Sequence, residues 1–262
     1  QAQKPCAPKT KVELPIQRFE PAPAVPAKVE MFQSRICSVK IDKSFEDKHP
    51  EMFKFFNDRN IDVEVSDDFK GLKTFLTSLP KEDYPYNYDE FFDPDKTFNL
   101  EDKSFVLYLK KDGNIISTYA AKNMDFTNFY NEFNEYWRVK SSEKKVKELS
   151  YLFTTGDHMY SSCQWVSKEH RGNGFGMTLD HLKKNICFDI FDATSNFAIH
   201  KETFKDYHLN GLHYDESIHL ATVPQGDVGG AGEKKDKVYN VCWIKKESWL
   251  NKLNDVRKLY NR

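Results

Sequence analysis

Val166-Ser167-Lys168-Glu169-His170-Arg171-Gly172-Asn173-Gly174-Phe175-Gly176 decides how this chain is read. Strand-like residues Cys163 to Val166 run into a turn with three glycines at alternate positions, and a helical-looking stretch from Met177 to Lys184 follows. The glycines leave main-chain N–H groups unshielded. A helix opening beside them adds its unpaired first-turn donors and the positive end of its dipole. Such a turn suits a phosphate. Two familiar phosphate turns are excluded. A P-loop closes on Gly-Lys-Ser/Thr, whereas Gly176 is followed by Met177 and Thr178. A dinucleotide fingerprint needs G-x-G-x-x-G, and the third glycine would fall on Met177 or on Leu179, depending on the register.

Arg171, Gly174 and Gly176 fill the pattern Arg/Gln-x-x-Gly-x-Gly/Ala, and Val166, Arg171, Gly172 and Gly174 fit the approach Val-x-Pro-x-x-Arg-Gly-x-Gly, with Lys168 where proline is common. This segment resembles the acetyl-CoA-binding turn of the GCN5-related N-acetyltransferases. A second match, 31 residues after Gly176, is Tyr207-His208-Leu209-Asn210-Gly211-Leu212, which is similar to the family's Tyr-x-x-x-Gly-Phe. Resemblance in detail covers Met159 to Leu212.

The resemblance implies an α/β (α+β) fold, a mixed, mostly antiparallel sheet flanked by helices. It implies acetyl-CoA as co-substrate and transfer of its acetyl group to a primary amine by direct attack. The pyrophosphate would rest on main-chain N–H groups of Arg171, Gly172, Asn173, Gly174, Phe175, Gly176 and Met177. The pantetheine arm would lie along the strand Met159 to Val166, with the Val166 N–H facing the thioester carbonyl. Tyr207 would protonate the departing thiolate, since a phenol near 10 is a suitable partner for a thiol near 8.5. Many members carry a glutamate on that strand as base. Here alternation puts Gln164, Ser162 and Tyr160 on one face and Trp165, Cys163 and Ser161 on the other, with no carboxylate. Asp157 and His158 at the strand's start are the candidate bases, unless they are turn residues. His200 stands near a place where many members carry a cofactor-contacting asparagine.

The rest of the chain sets limits. It has 262 residues, 39% hydrophobic and 30% charged, which suits a globular protein with a substantial core. Formal net charge is −1, from 39 basic and 40 acidic residues, so no nucleic-acid field is expected. No apolar run is long enough to span a bilayer, and no intact secretory signal is expected from the start of the chain. Five scattered cysteines with no C-x-x-C suit free thiols in a reducing cytoplasm. The histidines lack ligand spacing, and no metal is expected. The acceptor is expected to be a small-molecule amine or a protein amine. Alternatives are a CoA-binding or protein-interaction module on the same fold, and a peptide or protein lysine acetyltransferase.

Prolines 5, 8, 15, 21, 23 and 26 mark residues 1–33 as an extended or flexible N-terminal extension, leaving residues 34–262 as the domain. Within it the patterning predicts a strand over Ser34–Ile41, helices over Pro50–Arg59 and Asp67–Leu79, and a Tyr/Pro/Asp loop from Tyr84 to Pro94. A hairpin is expected next, Phe105–Leu109 and Ile115–Ala120 around Asp112-Gly113. A helical insertion over about 125–155 comes before the CoA strand. It opens with Phe126, Phe129, Tyr130, Phe133 and Trp137 on one helix face, serving either as packing or as an acceptor-pocket wall. After the turn come a helix from Gly176 to Phe191, a strand Asn196–His200 and a short helix Lys201–Asn210. Strands Ser217–Val223 and Val238–Ile244 end the reading, joined by a flexible loop over 225–235 with four glycines.

Overall fold

Asp112 and Gly113 both take left-handed backbone, φ 51° and 77°, the geometry that lets a two-residue turn match the twist of a hairpin. The hairpin they close supplies the second and third strands of the sheet in a computed structural model. The structure describes residues 39, 41–85, 88–95, 103–137, 143–223 and 237–260. In chain order these form α1 (Lys43–Lys48), α2 (Pro50–Asn57), β1 (Asp62–Ser66), α3 (Phe69–Ser78), β2 (Ser104–Lys111), β3 (Asn114–Asn123), α4 (Phe126–Trp137) and α5 (Glu143–Glu148). The second half adds β4 (His158–Val166), α6 (Phe175–Asn185), β5 (Ser195–Lys201), β6 (Glu216–Val223), β7 (Lys237–Lys245) and α7 (Lys246–Leu259).

The seven strands run in the order β1-β2-β3-β4-β5-β7-β6. Every neighbouring pair is antiparallel except β4 with β5. The expected mixed, mostly antiparallel sheet is therefore present. Helices cover both faces, so β2 is buried on both sides from Ser104 to Leu109. Phe45, Phe56, Leu179, Leu182 and Trp249 pack on one face, and Leu72, Phe92, Phe129, Phe133 and Trp243 on the other.

Several boundaries differ from the sequence reading for local reasons. Asp68 caps α3 by accepting from the Gly71 N–H at 2.7 Å, so the helix starts at Phe69. The helix after the glycine turn is regular to Asn185 and then widens, with the Phe191 N–H reaching the Ile186 carbonyl. The helix expected over Lys201–Asn210 is broken into short turns at Glu202–Phe204 and Tyr207–Gly211. A turn at Glu90–Phe92 lies in the Tyr/Pro/Asp loop, and β1 and α7 were not anticipated. Of the strand expected over Ser34–Ile41, Val39 and Ile41 are described and are not in a strand. The proline-rich segment and the loop over 225–235 lie outside the described residues. In the insertion, Phe129 and Phe133 are fully buried, and Val146, Leu149 and Leu152 close the core beside them. Phe129 packs edge-on against Phe197 of β5.

The fold's main electrostatic commitment lies along α6. Asp180, Lys183 and Lys184 have no exposed surface. Lys183 Nζ is 2.9 Å from Asp180 Oδ1, and Lys184 Nζ is 2.5 Å from Oδ2. Lys183 also donates to Asn196 Oδ1 at 2.6 Å and to the Tyr214 hydroxyl at 2.9 Å, while Lys184 donates to the Leu212 carbonyl. Asn196 in turn donates to the Met159 carbonyl and to Ser161 Oγ. The network ties α6 to β4, β5 and the segment after the Tyr207 turn. Burial alone would raise the Asp180 pKa, but the two lysines hold it below the usual carboxylate range. Burial pushes Lys184 down to about 8 against the pull of Asp180. Breaking such a cluster on one side strands the remaining charge. Asp180→Asn is expected to lower unfolding free energy by about 3–5 kcal/mol, measured by urea titration at pH 7.

Candidate active site

The site is built on an irregularity in β4. Ala120 pairs with Ser162 and Thr118 with Trp165, so β4 carries one residue more than β3 over this interval. Cys163 absorbs it with a left-handed φ of 58°. The extra residue reverses the phase of the strand, which corrects the alternation read from the sequence. Tyr160, Cys163 and Trp165 all enter the core on the α3 side. Ser161 bonds Asn196 instead, and Gln164 and Val166 meet α6. Gln164 Nε2 donates to the Gly176 carbonyl at 2.9 Å.

Two buried hydroxyls on β3 fix the main chain beyond the bulge. Thr118 Oγ1 donates to the Cys163 carbonyl at 2.9 Å and Ser117 Oγ to the Trp165 carbonyl at 2.7 Å. In a trans peptide the N–H points opposite to the C=O. The N–H groups of Gln164 and Val166 are therefore turned away from β3. On that other side β4 pairs with no strand among the described residues, because its parallel pairing with β5 ends at Ser161 and Ala198. From there β5 continues along β7 to Lys201. The two strands part and leave an edge whose donors face outward.

The turn that follows opens onto this edge. Gly172 and Gly174 have φ of 81° and 79°, left-handed values that a side chain tolerates poorly. A Cβ at Gly172 would meet nothing within 4 Å, so backbone conformation alone selects glycine there. Gly174 forms the N-cap of α6 and no side chain caps the helix. The first-turn N–H groups of Phe175, Gly176 and Met177 thus have no intrahelical acceptors. Phe175 is buried and packs edge-on against Phe55, which fixes the helix start. Asn173 is exposed. Arg171 folds back: Nε donates to the Val166 carbonyl at 3.0 Å and Nη2 to the Asp83 carbonyl at 2.9 Å. It braces the end of β4 against the loop after α3.

Gly176 is glycine for a different reason. A Cβ there would lie 3.2 Å from Val166 Cγ2, 3.4 Å from Gln164 Nε2 and 3.5 Å from the Tyr207 hydroxyl. The two sequence motifs, 31 residues apart, therefore meet at one point. Tyr207 begins the wide turn closed by the Leu212 N–H on its carbonyl, and its ring lies across Gly211, whose Cβ would be 3.1 Å from Cδ2. The spacing Tyr-x-x-x-Gly is a seat for the ring. Tyr207 is 42% exposed, and its hydroxyl lies beside Gly176 and Gln164. Burial and the nearby Asp180 push its phenol up to about 12, against a hydrogen bond with Gln164. Gln164, absent from the sequence-based candidates, belongs to this cluster; only the bulge gives it the right face.

Asp157 and His158 lie at the other end of β4, roughly 26 Å from Val166 at about 3.3 Å per residue. Asp157 is paired with Lys103 and accepts from Asn123 Nδ2 at 3.0 Å. His158 is buried, with Nε2 2.9 Å from the Thr154 carbonyl and Nδ1 2.7 Å from Ser195 Oγ. Its ring packs against Phe153 and Trp243. Both residues stand at the strand's start, separated from the glycine turn, with their polar atoms engaged. His200 lies on β5 beyond the parting of the strands, bonded to the Lys201 carbonyl and Ser217 Oγ and stacked at 4.2 Å on His208. Among the described residues no group of three His, Cys, Asp or Glu side chains is placed to hold a metal ion, and no helix is long and apolar enough to cross a membrane.

The described residues form a mixed α/β fold, an open and mostly antiparallel seven-stranded sheet flanked by helices. No family model and no curated protein matches the sequence. Among solved structures it is similar to FeeM, an N-acyl amino acid synthase from uncultured soil microbes, at 6% identity over 73% of this chain and 93% of that one, TM-score 0.46. It is also similar to spermidine N-acetyltransferase from Vibrio cholerae in complex with CoA and spermine, at 13% identity over 74% and 99% of the two chains, TM-score 0.44. The CoA-dependent acyl-homoserine lactone synthase BjaI with SAM and isopentyl-CoA gives 11% identity over 76% and 90%, TM-score 0.44. These likenesses concern the course of the chain and carry no chemistry over to it.

The histidines beside the site make stability depend on pH. Burial, with the neighbouring His200, lowers His208 to about 3, and burial lowers His200 as well. The unfolded chain then takes up a proton below about 6.5 that the folded chain refuses until about 3, so stability falls as pH drops through that window. His208 alone is expected to cost about 2 kcal/mol between pH 7.5 and pH 5. Urea midpoints across that range should fall less steeply for His208→Gln; parallel slopes for the two proteins would refute the assignment.

Proposed function

We propose that this chain transfers an acetyl group from acetyl-CoA to a primary amine by direct attack in a ternary complex. The observation that carries the proposal is the convergence at Gly176. An uncapped helix N-terminus, the outward N–H groups of a strand edge and a tyrosine hydroxyl all meet there. Each element suits one part of the donor. The main-chain donors from Gly172 to Met177 would hold the pyrophosphate, with the α6 dipole in support, while the Arg171 N–H is taken by the Lys168 carbonyl. The free edge of β4 offers an extended, amide-bearing arm the hydrogen-bonding partners that β5 no longer supplies. Arg171 acts on this edge by fixing the Val166 carbonyl, a role distinct from pairing with phosphate.

Attack of the amine on the thioester carbonyl places charge on its oxygen and then breaks the C–S bond. The Val166 N–H would face the oxyanion, where one such donor contributes about 3 kcal/mol; that of Gln164, about 6.6 Å back along the strand, is left for the arm of acetyl-CoA. Tyr207 stays protonated at neutral pH because its phenol sits near 12. Against a thiol near 8.5, full proton transfer would be uphill by about 5 kcal/mol. Its role is to donate a hydrogen bond to the sulfur as charge develops, the proton following from solvent.

A small-molecule amine in a reducing cytoplasm is the setting we assign. The near-neutral charge offers nothing to attract a nucleic acid. A module that binds CoA without turnover is the rival, favoured by the lack of a carboxylate on β4. Thiol release from acetyl-CoA across a panel of primary amines separates the two readings. Tight CoA binding with no release from any amine would leave the module.

Two variants test the assignment. Gly174→Trp should weaken acetyl-CoA binding at least tenfold by calorimetry while the thermal midpoint shows the protein still folded; unchanged affinity removes the turn from the site. Tyr207→Phe should lower kcat about tenfold, near 1.4 kcal/mol, with the KM for acetyl-CoA unchanged.

A further inference from the structure

The carboxylate that β4 lacks reaches it from another element. Asp89 sits in the loop after α3, where its Oδ1 accepts from the Phe91 N–H at 3.0 Å. The Tyr160 hydroxyl donates to its Oδ2 at 2.8 Å, and Ser162 is hydrogen-bonded to the same carboxylate. Tyr160 and Ser162 flank the point where β4 parts from β5, since the last parallel pair is Ser161 with Ala198. Asp89 therefore stands at the apex of the opened edge, roughly 7 Å of strand before the outward N–H of Gln164. It is half-buried and has no salt-bridge partner among the described residues. The nearest cation, Lys122 of β3, is held by both carboxylate oxygens of Glu132, at 3.1 and 2.9 Å.

We propose that Asp89 is the general base that takes the proton from the acceptor's ammonium group. This inference rests on the acyl-transfer reading above. A primary amine near 10 is almost wholly protonated at neutral pH, and its lone pair must be freed before attack. In the step, one N–H bond of the ammonium breaks and an O–H bond forms on Asp89. The freed pair then makes the C–N bond to the acetyl carbon as the C–S bond breaks, and the second ammonium-derived proton leaves with solvent.

The surroundings of Asp89 suit a base. Burial raises its pKa, against hydrogen bonds from Ser162, Tyr160 and the Phe91 N–H and the more distant Lys122. Its titratable neighbours are Tyr160 and Cys163 on β4, Lys122 on β3, Glu132 on α4, and Tyr84, Tyr88 and Asp93 on its own loop. The phenols and the thiol among these with resolved shifts are all raised by burial. The other carboxylates nearby are committed, Glu132 to Lys122 and Asp93 to Lys73.

Asp89→Asn keeps an oxygen for the Phe91 N–H and turns an NH2 toward the Tyr160 hydroxyl oxygen, which can accept from it, but cannot take a proton. With a primary amine as acceptor, kcat/KM at pH 7 should fall about a hundredfold. The deficit should shrink as pH rises toward the amine's own pKa, with calorimetric affinity for acetyl-CoA unchanged. Ser162→Ala, a milder change, should move the acidic limb of the pH–rate profile upward, because it removes a hydrogen bond that favours the charged carboxylate. An active wild type with an Asp89→Asn profile of the same shape, or a loss equal at every pH, overturns this inference alone. A wild type that binds acetyl-CoA and releases no thiol with any amine overturns the acyl-transfer reading, and this inference with it.

Discussion

Two hydroxyl groups hold two carbonyls, and the geometry of the site follows from that. Because a peptide is planar, Ser117 and Thr118 cannot bind the carbonyls of Trp165 and Cys163 without turning the next N–H groups the opposite way. A regular strand would also present outward donors, but a second strand would cover them. Here β5 bends off along β7 after Ala198, and the left-handed Cys163 lets β4 bend the other way. An unpaired strand edge inside a domain exposes polar groups that normally demand partners. The protein keeps this one open for a few residues and closes the sheet elsewhere.

The buried charges of α6 explain how a loop tyrosine can be held to ångström tolerance. Lys183 and Lys184 reach the Tyr214 hydroxyl and the Leu212 carbonyl, the residues directly after the Tyr207 turn. Asp180 binds both lysines, and Asn196 carries the connection into β4 through Ser161. Burying three charges gains little net stability, and a well-packed apolar core would do as well or better. What the network supplies is direction. An apolar contact leaves a turn free to slide, whereas each of these bonds fixes one atom of it.

The motif around Arg171 and the Tyr-x-x-x-Gly segment were legible in sequence because both rest on glycine, whose absence of a side chain is visible at once. The hairpin at Asp112-Gly113 was legible for the same reason. The structure still divides the glycines by cause: Gly172 and Gly174 serve conformation, Gly176 serves space. The bulge was not legible. Cys163 carries no signal for left-handed backbone, so counting by twos from Val166 placed Tyr160 and Ser162 with Gln164. Asp89 was missed because its partner strand lies 71 residues away, at Tyr160, and its Tyr/Pro-rich context reads as an ordinary loop. Asp180, Lys183 and Lys184 at helical spacing would suit a solvated face, and only tertiary structure puts them inside. β1 escaped notice as a short edge strand in which acidic residues interrupt the apolar ones.

Tyr207 lies between two bare Cα atoms, Gly211 beneath its ring and Gly176 at its hydroxyl, one from each motif. The three positions therefore share a single volume. A methyl at Gly211 would press on the ring, one at Gly176 would press first on Val166 and fill the space up to the hydroxyl, and a shorter residue at 207 would leave both glycines facing a void. Diversification of this pocket has to proceed by compensated exchange, small for large across the two segments, so such sequences would drift as a linked trio rather than site by site.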